Sequence, residues 1–185
     1  MKTVILIAAA MGLAGGMAQA ADAPAPGAAE ARDAAAVMTA VTSVCLPILQ
    51  GQPVAAIAKA QGLKKTRDGW MLPIEAKRHI DLDLPGGSNP HVCAATVVHT
   101  PGDGAATVAA LAAWAAAQVP PLNIIKDKEQ AQSGTYLVTA SSWSGGIAAG
   151  GVALSYAEQK LAGGKPVAGT LDQATLAIVF TPAAP

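Results

Sequence analysis

Residues 77–99, KRHIDLDLPGGSNPHVCAATVVH, decide the fold class of this 185-residue chain. In the first part of this stretch, apolar and polar residues alternate as they do in a half-buried β-strand. The apolar set is Ile80, Leu82 and Leu84, and the polar set is His79, Asp81 and Asp83. The segment PGGSNP at 85–90 predicts a loop, and 91–99 predicts a returning strand. Two successive strands with a short connection predict an antiparallel hairpin.

Helical periodicity appears on both sides of this hairpin. Upstream of it, Val37, Val41 and Cys45 recur at helical spacing, which predicts a helix with these residues on its buried face. Pro47 is expected to bend or end that helix, because proline lacks the backbone N–H that a helix interior needs. The predicted helices span 31–46, 54–61 and 105–118.

The second half of the chain is richer in strand signals. Paired glycines at 145–146 and 150–151 predict a turn region between two strands. The predicted strands span 70–72, 77–84, 91–99, 136–143, 152–157 and 174–181. Helices that fall before and between groups of adjacent strands favour an α+β fold. We therefore predict a two-layer sandwich, in which an antiparallel sheet of five or six strands is covered on one face by three helices.

The N-terminus has the layout of a secretory signal peptide. Lys2 is followed by an uncharged apolar run, and Ala18-Gln19-Ala20 is a small-x-small cleavage signal. The Pro/Ala/Gly-rich segment that follows is typical of a flexible tether. We predict a signal peptide over 1–20, a disordered linker over 21–32 and a single α+β domain over 33–183, so that the protein is periplasmic or secreted.

Composition excludes several classes of function. The chain has twelve basic and twelve acidic residues, so no strong field is expected to attract nucleic acid or anionic lipid. The chain has six aromatic residues, and all of them are expected to be needed as core anchors. This weighs against surfaces that bind sugars or single-stranded nucleic acid through exposed rings. No second long apolar run follows the signal, which predicts no membrane span after cleavage.

The only two cysteines are Cys45 and Cys93. Since an oxidising compartment favours pairing, we predict that they form one disulfide, joining the first helix to the strand over 91–99. In the chain-entropy model, a disulfide that closes a loop of this length stabilises the protein by about 4 kcal/mol.

Metal-dependent chemistry is one alternative, and its candidate ligands are His79, Asp81 and His91. His79 and Asp81 alternate on one strand face and could bind Zn²⁺ if another residue joined them. Solvation of an exposed strand face explains the same pattern without a metal. No cofactor fingerprint occurs, and Ser141 lacks a G-x-S-x-G context, although His99 is a conceivable base for it.

The functional hypothesis from sequence is a non-enzymatic binding or interaction module of the bacterial envelope, whose partner is an envelope protein or a small ligand. One alternative is a small metal-dependent enzyme that uses His79, Asp81 and His91. A second alternative is a carrier of a small apolar ligand, with a pocket lined by Trp70, Trp114 and Tyr136. The sequence contains no convergent catalytic set, which favours the first hypothesis.

Overall fold

A computed structural model of the chain describes residues 27–86, 89–102 and 104–183. The predicted signal peptide and most of the predicted linker lie outside these residues. The helices are α1 Ala28–Leu49, α2 Val54–Ala60 and α3 Ala105–Ala116. The strands are β1 Lys64–Lys65, β2 Trp70–Glu75, β3 Arg78–Asp83, β4 Val92–His99, β5 Asn123–Ser133, β6 Tyr136–Ile147, β7 Gly150–Leu161 and β8 Asp172–Pro182.

All the strands belong to one antiparallel sheet with the order β1-β2-β3-β4-β8-β7-β6-β5. The α+β class is confirmed, but the prediction of five or six strands is wrong, because the sheet has eight. The first four strands form a meander, and β8 then pairs with β4 so that the last four strands continue the sheet in reverse order. Residues distant in sequence therefore meet along β4, β8 and β7.

The two unpredicted strands lack the pattern that marks the others. β1 has only two residues, which is too short to show a period. The sequence of β5, NIIKDKEQAQS, shows no alternation of apolar and polar positions, and every residue of the strand is exposed. It is held by backbone pairing with β6, which the side chains do not encode.

The paired glycines belong to the strands and not to a wide turn. Gly145 and Gly146 lie inside β6, opposite Val152 and Gly151, and only Ala148 and Ala149 form the turn. A Cβ at Gly145 would come within 3.1 Å of the Leu122 side chain. The lack of a side chain at Gly145 therefore favours close packing of the segment before β5 and does not serve chain reversal.

Helix α1 is longer than predicted at both ends. It begins at Ala28, where the Gly27 N–H donates to the Glu30 carboxylate at 3.1 Å, so residues 28–32 of the predicted linker are helical. It also continues past Pro47 to Leu49, after a π-helical segment over Ala40–Cys45. That widened turn accommodates the proline without ending the helix.

The core lies between the helices and one face of the sheet. Helix α1 contributes its fully buried Val37, Val41 and Val44, and the sheet contributes alternate residues such as Ile80 and Ile178. By length and mean hydropathy α1 would also qualify as a membrane span, yet 56% of its most apolar window is buried within the protein. Burial of this apolar stripe is the main force that holds the helix on the sheet.

The predicted disulfide between Cys45 and Cys93 is confirmed. It joins α1 to the start of β4, the two Cα atoms are 5.7 Å apart, and both residues are buried. The pair spans a sequence separation of 48 residues. It therefore links the helical layer to the middle of the sheet.

The turn between β2 and β3 holds an alanine in a backbone conformation that favours glycine. Glu75 pairs with Arg78 across the β2–β3 hairpin, and Ala76 between them has φ 51°. A non-glycine residue in this left-handed region costs about 1–2 kcal/mol. We expect Ala76→Gly to raise the free energy of unfolding by about 1 kcal/mol, measured by urea denaturation. Gly27→Ala, at the N-cap of α1 with ordinary φ and open space, is the control for a glycine–alanine exchange without left-handed strain; because alanine caps a helix less well than glycine, it should lower stability by up to about 1 kcal/mol.

Candidate functional site

The three metal candidates are not brought together. His79 lies beside Asp81, with Nε2 to Oδ2 at 3.2 Å, and its Nδ1 donates to the Lys77 carbonyl at 2.8 Å. The register places His79 opposite Val98, so His91 lies about 23 Å away along β4. These residues cannot share one ion with bonds of about 2 Å. Among the described residues, no group of three or more His, Cys, Asp or Glu is placed to hold a metal.

The aromatic residues expected to line an apolar pocket also lie apart. Trp70 is on β2 and Tyr136 is on β6, which are five strand spacings, or about 24 Å, apart. Trp70 and Trp114 pack against the core, and Tyr136 remains 39% exposed. The prediction of one apolar pocket lined by all three residues is therefore wrong.

Ser141 does not receive a base from His99. His99 is on β4 and Ser141 is on β6, with β8 and β7 between them. Three strand spacings separate the two residues by about 14 Å, beyond any hydrogen bond. The Ser141 hydroxyl oxygen instead accepts the Lys128 backbone N–H at 3.2 Å.

Charged and polar side chains are instead gathered in the core at one end of the sheet. They are Asp33, Arg78, His99, Thr107, Glu158 and Asp172, all of them buried, while the buried Ser141 lies nearer the middle of the sheet, opposite Tyr156. Because a buried charge is costly unless it is paired, such a cluster needs partners for its polar atoms, and among the described residues only Asp172 Oδ1 is buried without a hydrogen-bond partner. Its members come from α1, α3 and four strands.

Arg78 forms the first part of this cluster. Its guanidinium donates to Asp33 Oδ1 and to Glu75 Oε2, both at 2.6 Å, and to Thr100 Oγ1 and the Ala29 carbonyl, both at 3.0 Å. The second oxygen of Asp33 accepts the Thr100 backbone N–H at 2.9 Å. These bonds join α1, the β2–β3 hairpin and the loop after β4.

His99 and Glu158 form the second part. His99 Nε2 lies 3.1 Å from Glu158 Oε2, and its Nδ1 donates to the Thr100 carbonyl at 2.8 Å. The other Glu158 oxygen accepts the Tyr156 hydroxyl at 2.7 Å. Both ring nitrogens of His99 therefore face acceptors, an arrangement that the doubly protonated imidazolium satisfies.

Small residues make this ion pair possible. Ala174 on β8 pairs with Val97 on one side and with Glu158 on the other, so only a methyl group lies between the two strands at that level. Gly104, at φ 65°, precedes α3 and packs against the Glu158 carboxylate. A Cβ at Gly104 would collide with that carboxylate, so glycine is required both by the close approach and by the backbone conformation.

The environment of His99 favours its charged form. Burial alone lowers the pKa of the imidazole, but the hydrogen bond and the charge of Glu158 raise it. The Thr100 carbonyl and the charge of Asp172 act in the same direction, so the pKa lies above the ordinary 6.5. Burial, followed by the Glu158 charge, raises the pKa of the Tyr156 hydroxyl well above 10.0, so this phenol stays protonated as a donor.

This pKa shift makes stability depend on pH. Because folding raises the pKa of His99, its contribution to stability is complete below pH 6.5 and is lost as pH rises through the folded-state pKa. We expect the urea midpoint of the wild type to fall across that window and that of His99→Gln to fall less. His79→Gln, which alters a partly exposed histidine, should retain the wild-type slope. If the urea midpoint of His99→Gln changed with pH as much as that of the wild type, the raised pKa of His99 would be contradicted.

A pocket opens beside this cluster, between α3 and the last strands. This β5–β7 pocket has a volume of about 280 Å³. Its lining residues are Ala105, Val108, Lys128, Gln130, Leu137, Thr139, Ser141, Glu158 and Lys160. Glu158 belongs to both the pocket lining and the buried ion pair, so the pocket is in contact with the titrating cluster. Polar groups converge there from three adjacent strands, as expected of a binding site.

The backbone of β5 is distorted at the pocket. Its pairing with β6 shifts register between Lys126 and Glu129, and Lys128 has φ 52°. Positive φ at a lysine is unfavourable, and such strain concentrates at functional sites. The bulge directs the Lys128 N–H to Ser141 and places this residue on the pocket wall.

A larger depression of about 520 Å³ lies on the helix-free face of the sheet. Its floor is formed by small residues such as Ala94, Thr96 and Ala177, and exposed Asp68 and Asp83 lie along it. Among the described residues, no deeply buried polar side chain lines it. We therefore favour the smaller β5–β7 pocket as the candidate site.

Sequence analysis missed most of this site, although a signal was present. Each buried charged residue on a strand lies on the face that points to the core, where the other residues of that strand are apolar. Glu158 continues the series of Val152, Leu154 and Tyr156, and Asp172 precedes that of Ala174. A charge at a core position of a strand indicates either a buried partner or a site. Which residue becomes the partner depends on the order of the strands in the sheet, and the alternation within one strand does not predict that order.

No protein-family model matches this chain, and the searches of curated proteins and of solved structures find no significant match.

Proposed function

We propose that this chain is an exported, non-enzymatic binding domain of the bacterial envelope, and that the β5–β7 pocket is its site for a small polar molecule. The observation that carries the proposal is the convergence of Lys128, Ser141, Glu158 and Lys160 on one concavity. Its volume of about 280 Å³ is near the lower end for ligand sites, which favours a small metabolite over a lipid or a polymer.

Export is supported by the covalent chemistry of the chain. The Cys45–Cys93 disulfide is stable in an oxidising compartment and rare in the cytosol. The signal-like first twenty residues would direct the chain to such a compartment. Together these features favour a periplasmic or secreted location.

Binding is favoured over catalysis because the reactive groups are already committed. His99 and Tyr156 are buried, and both direct their polar atoms to Glu158. Ser141 is separated from His99 by about 14 Å and has no base among the described residues. These bonds satisfy both oxygens of Glu158 and hold its carboxylate in place at the pocket.

The test is a screen of small water-soluble acids, amides, amines and sugars against ¹⁵N-labelled mature protein. We expect binding to move the backbone amide signals of Gln130, Thr139 and Lys160, and Thr139→Leu, which fills the pocket, to abolish these shifts. Ser142→Leu, on the same strand but facing away from the helices, is the matched control and should bind normally. If no compound shifts these signals at millimolar concentration, or if Thr139→Leu binds like the wild type, the proposal is wrong.

A further inference from the structure

We propose that the β5–β7 pocket selects a small organic anion, a carboxylate with a short apolar body, and that Lys128 and Lys160 bind its charged group. This inference rests on the proposed function of the same pocket, and it adds the chemical class of the ligand.

The charges around the pocket favour an anion. Lys128 and Lys160 lie in its lining, and Glu158 is the only acidic residue there among the described residues. Both oxygens of Glu158 already accept hydrogen bonds, from His99 and Tyr156. With His99 protonated, the charge of Glu158 is neutralised within the protein, and the ion pair with Asp172 compensates Lys160, which leaves Lys128 to set a positive potential in the cavity.

The two lysines keep donors for a ligand. Lys160 Nζ forms an ion pair with Asp172 Oδ2, but at 3.6 Å the two atoms are too far apart for a good hydrogen bond, so the N–H donors of Lys160 remain available. Lys128 is exposed, and within the described part of the chain its ammonium has no ion-pair partner. An ammonium carries three donors, so each lysine can bind a carboxylate oxygen.

Ser141 supplies a further donor at the floor. Its oxygen accepts the Lys128 N–H, and the residue is only 2% exposed. Its own O–H has no acceptor among the described residues, so it is available to an oxygen of the ligand. The first turn of α3 forms another wall, where the helix dipole also favours negative charge.

The rest of the lining favours an organic ion over inorganic phosphate. Val108 and Leu137 present apolar surface in the same cavity as the lysines. A ligand with a charged end and a hydrocarbon part would satisfy both kinds of surface. An inorganic ion would leave the apolar wall in contact with water.

The pocket also links ligand affinity to proton binding. His99 faces Glu158 of β7, Asp172 of β8 and the Thr100 carbonyl of the following loop, and Glu158 also accepts from Tyr156. Beyond Thr100, Asp33 of α1 is neutralised by Arg78. Loss of the His99 proton leaves Glu158 uncompensated, and its charge then repels an anion. Binding is therefore expected to weaken as pH rises and to be accompanied by proton uptake.

The experiment compares matched acids and amides, namely benzoate with benzamide and butyrate with butyramide, by titration into the mature protein below pH 6.5. We expect each acid to move the pocket amide signals and to bind about tenfold more tightly than its amide. Lys128→Gln should weaken benzoate binding about fivefold. Lys126→Gln, on the same strand but outside the pocket and paired with Glu129, is the matched control and should leave the affinity unchanged.

The outcomes separate the two proposals. If an amide binds in the pocket as tightly as its acid, or if inorganic phosphate binds as tightly as benzoate, the inference about ligand class is wrong and the pocket remains a binding site. If no acid of the screen moves the pocket signals while amides, amines or sugars do, the ligand class is also wrong. If nothing binds in the pocket, the proposed function fails.

The proton linkage has its own readout. Benzoate affinity should fall several-fold between pH 6 and pH 9, a range in which benzoate itself stays ionised, and calorimetry in buffers of different ionisation enthalpy should show net proton uptake at intermediate pH. His99→Gln should remove both effects. If this variant does not fold, the calorimetric measurement on the wild type decides alone: binding without proton exchange would refute the linkage.

Discussion

Replacing Arg78 with alanine is expected to lower the free energy of unfolding by about 3–5 kcal/mol, the largest effect of any single substitution considered for this chain. The guanidinium is buried and makes close ion pairs with Asp33 and Glu75. Its removal deprives Asp33, a residue 3% exposed in the intact protein, of its only ion-pair partner among the described residues. An uncompensated buried charge costs far more than a lost surface contact.

Urea denaturation followed by circular dichroism measures this loss. The matched control is Arg67→Ala, because Arg67 also forms a bidentate pair, with Asp68, but both side chains are exposed. Salt and solvent screen such a pair, so the control should change stability by less than about 1 kcal/mol. Similar effects of the two substitutions would show that the Arg78 network does not stabilise the fold.

The second large effect is expected from loss of the disulfide. The double variant Cys45→Ala/Cys93→Ala should be less stable than the oxidised protein by about 4 kcal/mol, the value that the chain-entropy model gives for a loop of this size. The bond connects α1 to β4, across the two layers, over a separation of 48 residues. Without it the unfolded chain gains conformational freedom while the native packing of α1 is little changed.

A reducing agent provides the control for this prediction. Dithiothreitol should shift the urea midpoint of the wild type towards that of the double variant and should leave the variant itself unchanged. The intact mass of protein purified from the periplasm or medium should show both sulfurs resistant to alkylation. Alkylation of both cysteines in native protein would contradict the disulfide and also the proposed export.

Local sequence patterns predicted those parts of the fold that depend on neighbouring residues. The alternation in 77–84 correctly separated the core face of β3 from its exposed face, because side chains on a strand point to opposite sides with a period of two. The helical spacing of Val37 and Val41 likewise identified the buried stripe of α1. In β5, where exposure is uniform, there was no pattern to detect.

The sequence by itself determined the α+β class, the pairing of its only two cysteines and the buried face of each periodic element. Only the tertiary structure decided that β8 lies between β4 and β7, and this single placement brings His99 to Glu158 across Ala174. It also brings Asp172 to Lys160 beside the pocket. Strand order arises from burial and backbone pairing over the whole sheet, and these long-range interactions leave no local period in the residues that they bring together.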